Sequence, residues 1–135
     1  MTPEDVKKAY HAQQDILFCE AELGGMTRKY EDLRSYYLSH GWDPDNYLLR
    51  LDEGTHQRSV DSYKDRIRKD RDVIDPVLRW AETAPEDIQQ IVRARVLDQM
   101  EWSEISLTVL GSGVPNTSYM RMKRYMLGED PDPNH

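Results

Sequence analysis

The residues best suited to chemistry lie in one short segment near the C-terminus, where amide, hydroxyl, thioether and basic side chains stand close together. They are Asn116, Thr117, Ser118, Met120, Arg121, Lys123 and Arg124. Guanidinium groups bind guanine edges or phosphate, hydroxyls bind backbone oxygens, and a thioether packs against a thymine methyl. A helix that carries these groups outward is therefore predicted to enter the major groove of DNA.

Helical spacing divides this segment into two faces. Tyr119, Met122 and Met126 recur at i, i+3 and i+7, which predicts a face turned toward the core. The outward face is then predicted to comprise Thr117, Ser118, Met120, Arg121 and Arg124. Lys123 lies to one side, where it would contact phosphate.

Catalytic chemistry lacks the residue combinations it needs. No cysteine or carboxylate lies at nucleophile or metal-ligand spacing from the four scattered histidines, which are His11, His40, His56 and His135. The single cysteine, Cys19, excludes an intrachain disulfide and a cysteine-based zinc site. We expect no enzyme, no catalytic residue and no cofactor.

Three carboxylates in one turn-rich segment suggest calcium, namely Asp43, Asp45 and Glu53. An EF-hand loop also needs oxygen ligands and a glycine at fixed offsets, and Tyr47 and Leu48 occupy those places. We therefore expect no metal.

The net charge of −7 argues against nucleic acid when it is taken whole, but the charge is unevenly distributed. Residues 1–57 carry eleven acidic against six basic side chains, whereas residues 111–128 carry three basic side chains and no acidic one. Phosphate binding depends on locally apposed bases more than on total charge. The basic segment is thus compatible with DNA binding of modest affinity per chain, which favours a dimer.

The elements that must position these residues are predicted to be all-α, because no segment alternates with period two. Residues 1–40 are predicted to form a helical hairpin, broken at Gly24-Gly25, that serves oligomerisation or partner binding. Residues 41–58 are rich in turn residues and predict an irregular linker. Residues 129–135 predict a disordered acidic tail.

Residues 59–84 are predicted to form a long charged helix. Its basic side chains suit phosphate contacts, but they also suit a solvated face interspersed with Asp61, Asp65 and Asp75. The sequence favours the solvated face and leaves the phosphate contact open.

Residues 85–128 are predicted to form a helix-turn-helix DNA-binding module. A short helix at 103–110, a glycine turn at 111–113 and a basic helix at 116–127 match the arrangement in which the first helix supports the second in the groove. The same spacing fits an ordinary helical pair that closes a small bundle, with three bases suited to the negative end of the last helix dipole. The residues alone leave both interpretations open.

A family resemblance favours the first interpretation. The run 85–106, PEDIQQIVRARVLDQMEWSEIS, resembles the C-terminal module of phage-encoded late transcriptional regulators of the ArpU and RinA type, which is similar to sigma-70 region 4. The segment 116–124, NTSYMRMKR, is similar to their recognition helix. The resemblance is best over 85–127, and the chain departs from the pattern in its longer, glycine-rich turn at 111–115 and in its acidity. It implies a sequence-specific DNA-binding transcriptional regulator that acts on late genes.

Two alternatives stay open at this point: a phage helical interaction protein, and a small terminase subunit that binds packaging-site DNA. The expected partners are double-stranded DNA, a second copy of the chain in a homodimer or higher homo-oligomer, and RNA polymerase or another host protein. No apolar run approaches the length of a membrane span, so we expect a cytoplasmic protein without membrane contact.

Overall fold

The computed structural model describes residues 1–129, in which it contains five α-helices and no strand. They are α1 (Pro3–Ser39), α2 (Tyr47–Glu82), α3 (Glu86–Val96), α4 (Trp102–Leu110) and α5 (Thr117–Met126). The predicted all-α class is confirmed. None of the five helices combines the length and the apolar character needed to cross a membrane. Most of the predicted acidic tail, residues 130–135, lies outside the described residues.

Helix α1 begins where its sequence predicts. The Asp5 amide donates to Thr2 Oγ1 at 3.3 Å, while the Thr2 amide donates to Asp5 Oδ2 at 2.9 Å. This reciprocal capping box satisfies the Thr2 amide and gives the Asp5 amide, which also donates to Thr2 O at 3.0 Å, a second acceptor. The hydrogen bond from the Thr2 backbone is the main cause that lowers the pKa of Asp5.

Helix α1 then continues through Gly24 and Gly25, so the predicted break and the helical hairpin within residues 1–40 are wrong. Glycine ends a helix when the chain takes the left-handed conformation, and neither residue has a positive φ. Each glycine costs about 1 kcal/mol relative to alanine inside a helix. Side chains on both sides of the pair, such as Cys19 and Tyr30, are packed, and this packing keeps the helix continuous.

The predicted linker at 41–58 is also wrong for most of its length, because α2 already begins at Tyr47. Asn46 Oδ1 accepts a hydrogen bond from the Leu48 amide at 2.9 Å, which caps the first turn. Leu49 is buried and fixes this turn in place. The predicted helix at 59–84 is the continuation of α2, and Pro76 lies inside α2 without ending it.

The chain divides into two compact units, residues 15–69 and residues 1–14 with Asp70 onward. In the first, hereafter unit 15–69, contacts between α1 and α2 run antiparallel. Asp15 binds Arg66 near one end, and the Tyr30 and His56 rings stack farther along, with centroids 4.2 Å apart. This unit is a pair of long helices.

The second unit combines the first turns of α1, the end of α2 and all of α3, α4 and α5. The last three helices pack on one another. Its core side chains are Val6, Ala9, Ala12, Ile74, Val77, Ala81, Ile88, Ile91, Val92, Ala94, Val96, Ile105 and Met122. This core positions the segment that the sequence marks for chemistry.

Candidate nucleic-acid interface

The α4 and α5 helices lie within a residue or so of their predicted bounds. Gly111 closes α4 in the left-handed conformation, with φ 63°, and its amide donates to Leu107 O at 3.1 Å. The Ser112 amide donates to Ser106 O at 2.9 Å, which completes the turn. The chain re-enters helix at Thr117, so a short connection joins the two helices.

Two buried serines, hereafter the serine cluster, join α4 to α5. Ser106 and Ser118 are both 0% exposed, and their hydroxyl oxygens lie 2.8 Å apart. Carbonyl oxygens of Trp102 and Pro115 lie within 3.0 Å of these hydroxyls and accept from them. The prediction that Ser118 points outward is wrong, because its hydroxyl finds partners in the core.

The serine cluster also caps α5. Asn116 precedes the helix but makes no side-chain capping bond. Instead, the Ser118 amide, in the first turn of α5, donates to Ser106 Oγ at 3.0 Å. A first-turn amide has no partner within its own helix, so α4 supplies the cap for α5.

Arg121 joins α5 to α3. Its Nε and Nη2 donate to the two carboxylate oxygens of Asp87 at 2.7 and 3.2 Å, and its side chain is only 17% exposed. This fork geometry fixes both position and orientation. The prediction that Arg121 points outward is therefore wrong, since a partly buried ion pair turns the guanidinium toward α3.

The remaining predicted residues form the outer face of α5, defined here as Asn116, Thr117, Met120, Lys123 and Arg124. Arg124 and Asn116 are exposed, and Met120 is 38% exposed. Thr117 and Lys123 are half-buried. The outer face thus keeps two cationic side chains of the three that the sequence offered.

The turn between α3 and α4 holds an unusual backbone conformation that the sequence does not indicate. Gln99 has a φ of 56°, in a region that favours glycine. Its side-chain amide donates to Val96 O at 2.8 Å and to Tyr10 O at 3.2 Å. The turn is therefore tied to the first part of α1.

Arg95 strengthens the same junction. Its guanidinium lies 3.9 Å from the Tyr10 ring centroid and 4.9 Å from that of Trp102, and it donates to Met100 O at 2.9 Å. Trp102 in turn packs edge to face against Tyr119, at 5.2 Å. The start of α4 is thus held from both α1 and α5, and the outer face of α5 has a rigid support.

Within residues 1–129, no three histidine, cysteine or acidic side chains are placed to hold a metal ion. Asp45, one of the three carboxylates that suggested calcium, instead binds Arg50 at 2.7 Å.

The family models, curated proteins and solved structures with which the chain was compared include no match to it.

Proposed function

We propose that α4 and α5 act as a helix-turn-helix and that the protein is a sequence-specific DNA-binding transcriptional regulator, encoded by a phage and acting on late genes. The observation that carries the proposal is the serine cluster together with the outer face of α5. The cluster fixes α5 on α4, as a groove-entering helix requires, and the outer face keeps two bases, Lys123 and Arg124, that pair with no carboxylate of residues 1–129. The resemblance of residues 85–127 to late regulators supports the same assignment.

Each residue of the outer face has a contact that suits its chemistry. Arg124 binds a base edge or a phosphate, and Lys123 binds phosphate. Met120 packs on a thymine methyl, while Asn116 and Thr117 bind backbone oxygens at the start of α5. Ser118 and Arg121 act as positioning residues.

The charge of the outer face sets the affinity. The Lys123 contact with phosphate gives a slope of about −0.9 for log affinity against log salt, a phosphate contact by Arg124 would bring it to about −1.8, and two chains double either value. A single chain would therefore bind weakly. A homodimer supplies the second half-site that tight binding needs.

The proposal is tested by selecting bound duplexes from a random-sequence pool with the full chain. Enrichment of one motif is expected. Arg124→Ala should then weaken binding to that motif by about 5- to 150-fold, the range for one base contact worth about 1–3 kcal/mol. Lys29→Ala removes the same charge from an exposed position on α1 and is the matched control.

Failure to enrich any motif, or equal losses in Arg124→Ala and Lys29→Ala, would refute the proposal.

A second candidate is the phage interaction protein or small terminase subunit. Unit 15–69 exposes large apolar side chains, each 46–72% exposed, namely Leu17, Phe18, Leu33, Tyr36, Tyr47, Leu48 and Leu51. Large apolar side chains left exposed on a surface are candidates for contact with a protein partner. If the selected DNA matches a packaging site, the result favours the terminase subunit. If the protein binds a phage or host protein but no DNA, the result favours the interaction protein.

A further inference from the structure

Helix α2 presents two chemically different faces between residues 55 and 69. One, hereafter the mixed-charge face, carries both acidic and basic side chains and is bonded within itself. Asp65 binds Lys69 at 3.1 Å and also binds Arg68, and these two bases, Lys69 foremost, lower the pKa of Asp65. Asp61 accepts from Gln57 at 2.9 Å. This is the solvated face that the sequence favours.

The other face is a groove of about 410 Å³, hereafter the α2 groove, and none of the α2 side chains that line it is a carboxylate. Its lining residues are Thr55, Arg58, Ser59, Ser62, Tyr63 and Arg66. They recur every three or four residues, so they lie on one side of the helix. Two guanidinium groups and four hydroxyls therefore open into the same space.

Most of these groups have unused hydrogen-bonding capacity. Among the described residues, the side-chain hydroxyls of Ser59, Ser62 and Tyr63 make no hydrogen bond. Arg58 uses one donor, from Nη2 to Thr55 Oγ1 at 3.2 Å. Hydroxyls and guanidinium groups with open donors are suited to binding an oxyanion.

Arg66, the last of the lining residues, is held in position by two side chains of α1 and by Tyr63. Its Nη2 binds Asp15, and its guanidinium lies 5.9 and 5.7 Å from the ring centroids of Phe18 and Tyr63. The hydrogen bond to Asp15 raises the pKa of Arg66, whose guanidinium is cationic in any case. Only one of its five N–H donors is engaged in this bond. Asp15 therefore orients the guanidinium and leaves other donors for a ligand.

We propose that the α2 groove binds the phosphodiester backbone of nucleic acid, independently of base sequence and of the outer face of α5. The groove extends over eleven residue steps of helix, or about 16 Å. One DNA strand carries a phosphate about every 3.4 Å along the duplex axis, so a row of phosphates matches the length of the groove. A single small anion would fill only one end of it. Arginine, serine, threonine and tyrosine are the side chains that contact phosphate oxygens in protein–DNA complexes.

The test is fluorescence anisotropy of the full chain with a labelled duplex that lacks any selected motif, at 50 to 200 mM salt. Replacing Arg58 and Arg66 by alanine removes two phosphate contacts, which should flatten the salt slope by about 1.8. When the salt concentration rises fourfold, the affinity of the unmodified protein should therefore fall by a factor about twelve times larger than the factor for the variant. The control replaces Lys64 and Arg68 by alanine, which removes the same charge from the mixed-charge face, and it should leave the slope nearly unchanged.

A second pair of variants covers the case in which loss of Arg66 disturbs folding. Ser62→Glu places a carboxylate in the groove at an exposed position, and Ser35→Glu makes the same change at an exposed position on α1. The first should weaken duplex binding and the second should do so much less. Both should keep the helical circular dichroism of the unmodified protein.

Equal losses in the groove and control variants would overturn the proposal. The proposal would also be overturned if the protein bound no duplex but bound a hexaglutamate peptide through Arg58 and Arg66. The groove would then serve an acidic protein partner. Groove variants should weaken selected and unselected duplexes alike, whereas Arg124→Ala should change the ratio between them. Failure of this site is thereby distinguished from failure of the α5 site.

Discussion

Ser106→Ala should destabilise the protein far more than Ser118→Ala, although the two hydroxyls touch each other. Removing the Ser106 hydroxyl leaves the buried Ser118 amide without an acceptor, and it also takes a donor from Pro115 O in a part-buried contact. A buried polar group left unpaired costs about 1–3 kcal/mol. We therefore expect a loss of about 2–3 kcal/mol in the free energy of unfolding.

Ser118→Ala leaves the cap intact. The amide of residue 118 still donates to Ser106 Oγ, and the Ser106 hydroxyl can still donate to Pro115 O or Trp102 O. Only one hydrogen bond is lost, so the expected cost is about 1 kcal/mol. For a chain of this size, Ser106→Ala should lower Tm by about 6–9 °C and Ser118→Ala by about 3 °C.

Urea denaturation followed by circular dichroism measures both values. Ser103→Ala makes the same chemical change at an exposed position of α4 and should shift the free energy of unfolding by less than about 0.5 kcal/mol. Equal losses for Ser106→Ala and Ser118→Ala, or a Ser106→Ala loss no larger than that of Ser103→Ala, would refute the assignment of Ser106 as the cap of α5.

Three further predictions follow from the contacts of α5 and α1. Arg121→Ala should lower the free energy of unfolding by about 1.5–3 kcal/mol, because it breaks the forked ion pair with Asp87. Arg121→Lys should recover only part of this loss, since lysine cannot form the fork. If Arg121→Ala is as stable in urea as the unmodified protein, the ion pair does not stabilise the fold. Gly25→Ala should stabilise the protein by about 0.5–1 kcal/mol in the same assay, because no atom lies within 4 Å of the added Cβ, whereas a loss would indicate a break in α1. An NMR titration should place the pKa of Asp5 below its ordinary value of 3.8. The ionised Asp5 carboxylate then stabilises the fold at pH values above the ordinary pKa of aspartate, and this stabilisation is lost as the pH falls through the lowered pKa of the folded protein. Asp5→Asn should remove that pH dependence.

The helices near the C-terminus could be predicted closely because their signals are local. Pro85 with Glu86 and Asp87 opens α3, and Gly111 closes α4. Each signal acts within a turn of the residue that carries it, so no distant partner alters it.

The ends of the long helices α1 and α2 could not be predicted from local signals, because tertiary packing overrides weak local preferences. Two glycines inside α1 cost about 2 kcal/mol together, which is small beside the burial of residues such as Ile16 and Cys19. The capping signal of Asn46 was present in the sequence but lay among turn residues that predict a loop equally well.

The orientation of Ser118 and Arg121 depends on partners twelve and thirty-four residues away. Helical spacing places both side chains at the edge of the inward face, where a polar residue can turn either way. A hydroxyl partner on α4 and a carboxylate on α3 decide the direction, and neither is visible from α5 alone. The exposed positions of α5, such as Arg124, were predictable because no such partner competes for them within residues 1–129.

The three tryptophans lie in three separate aromatic contacts. Trp42 is 4.5 Å from Tyr37 in unit 15–69, while Trp80 is 5.9 Å from Tyr125 and Trp102 is 5.2 Å from Tyr119 in the other unit. Indole emission responds to its immediate surroundings, so each unit carries its own intrinsic fluorophore. A variant that retains only Trp42 would report the opening of the helical pair, and a variant that retains only Trp102 would report the opening of the α4–α5 region. The two events could then be timed separately without any attached dye.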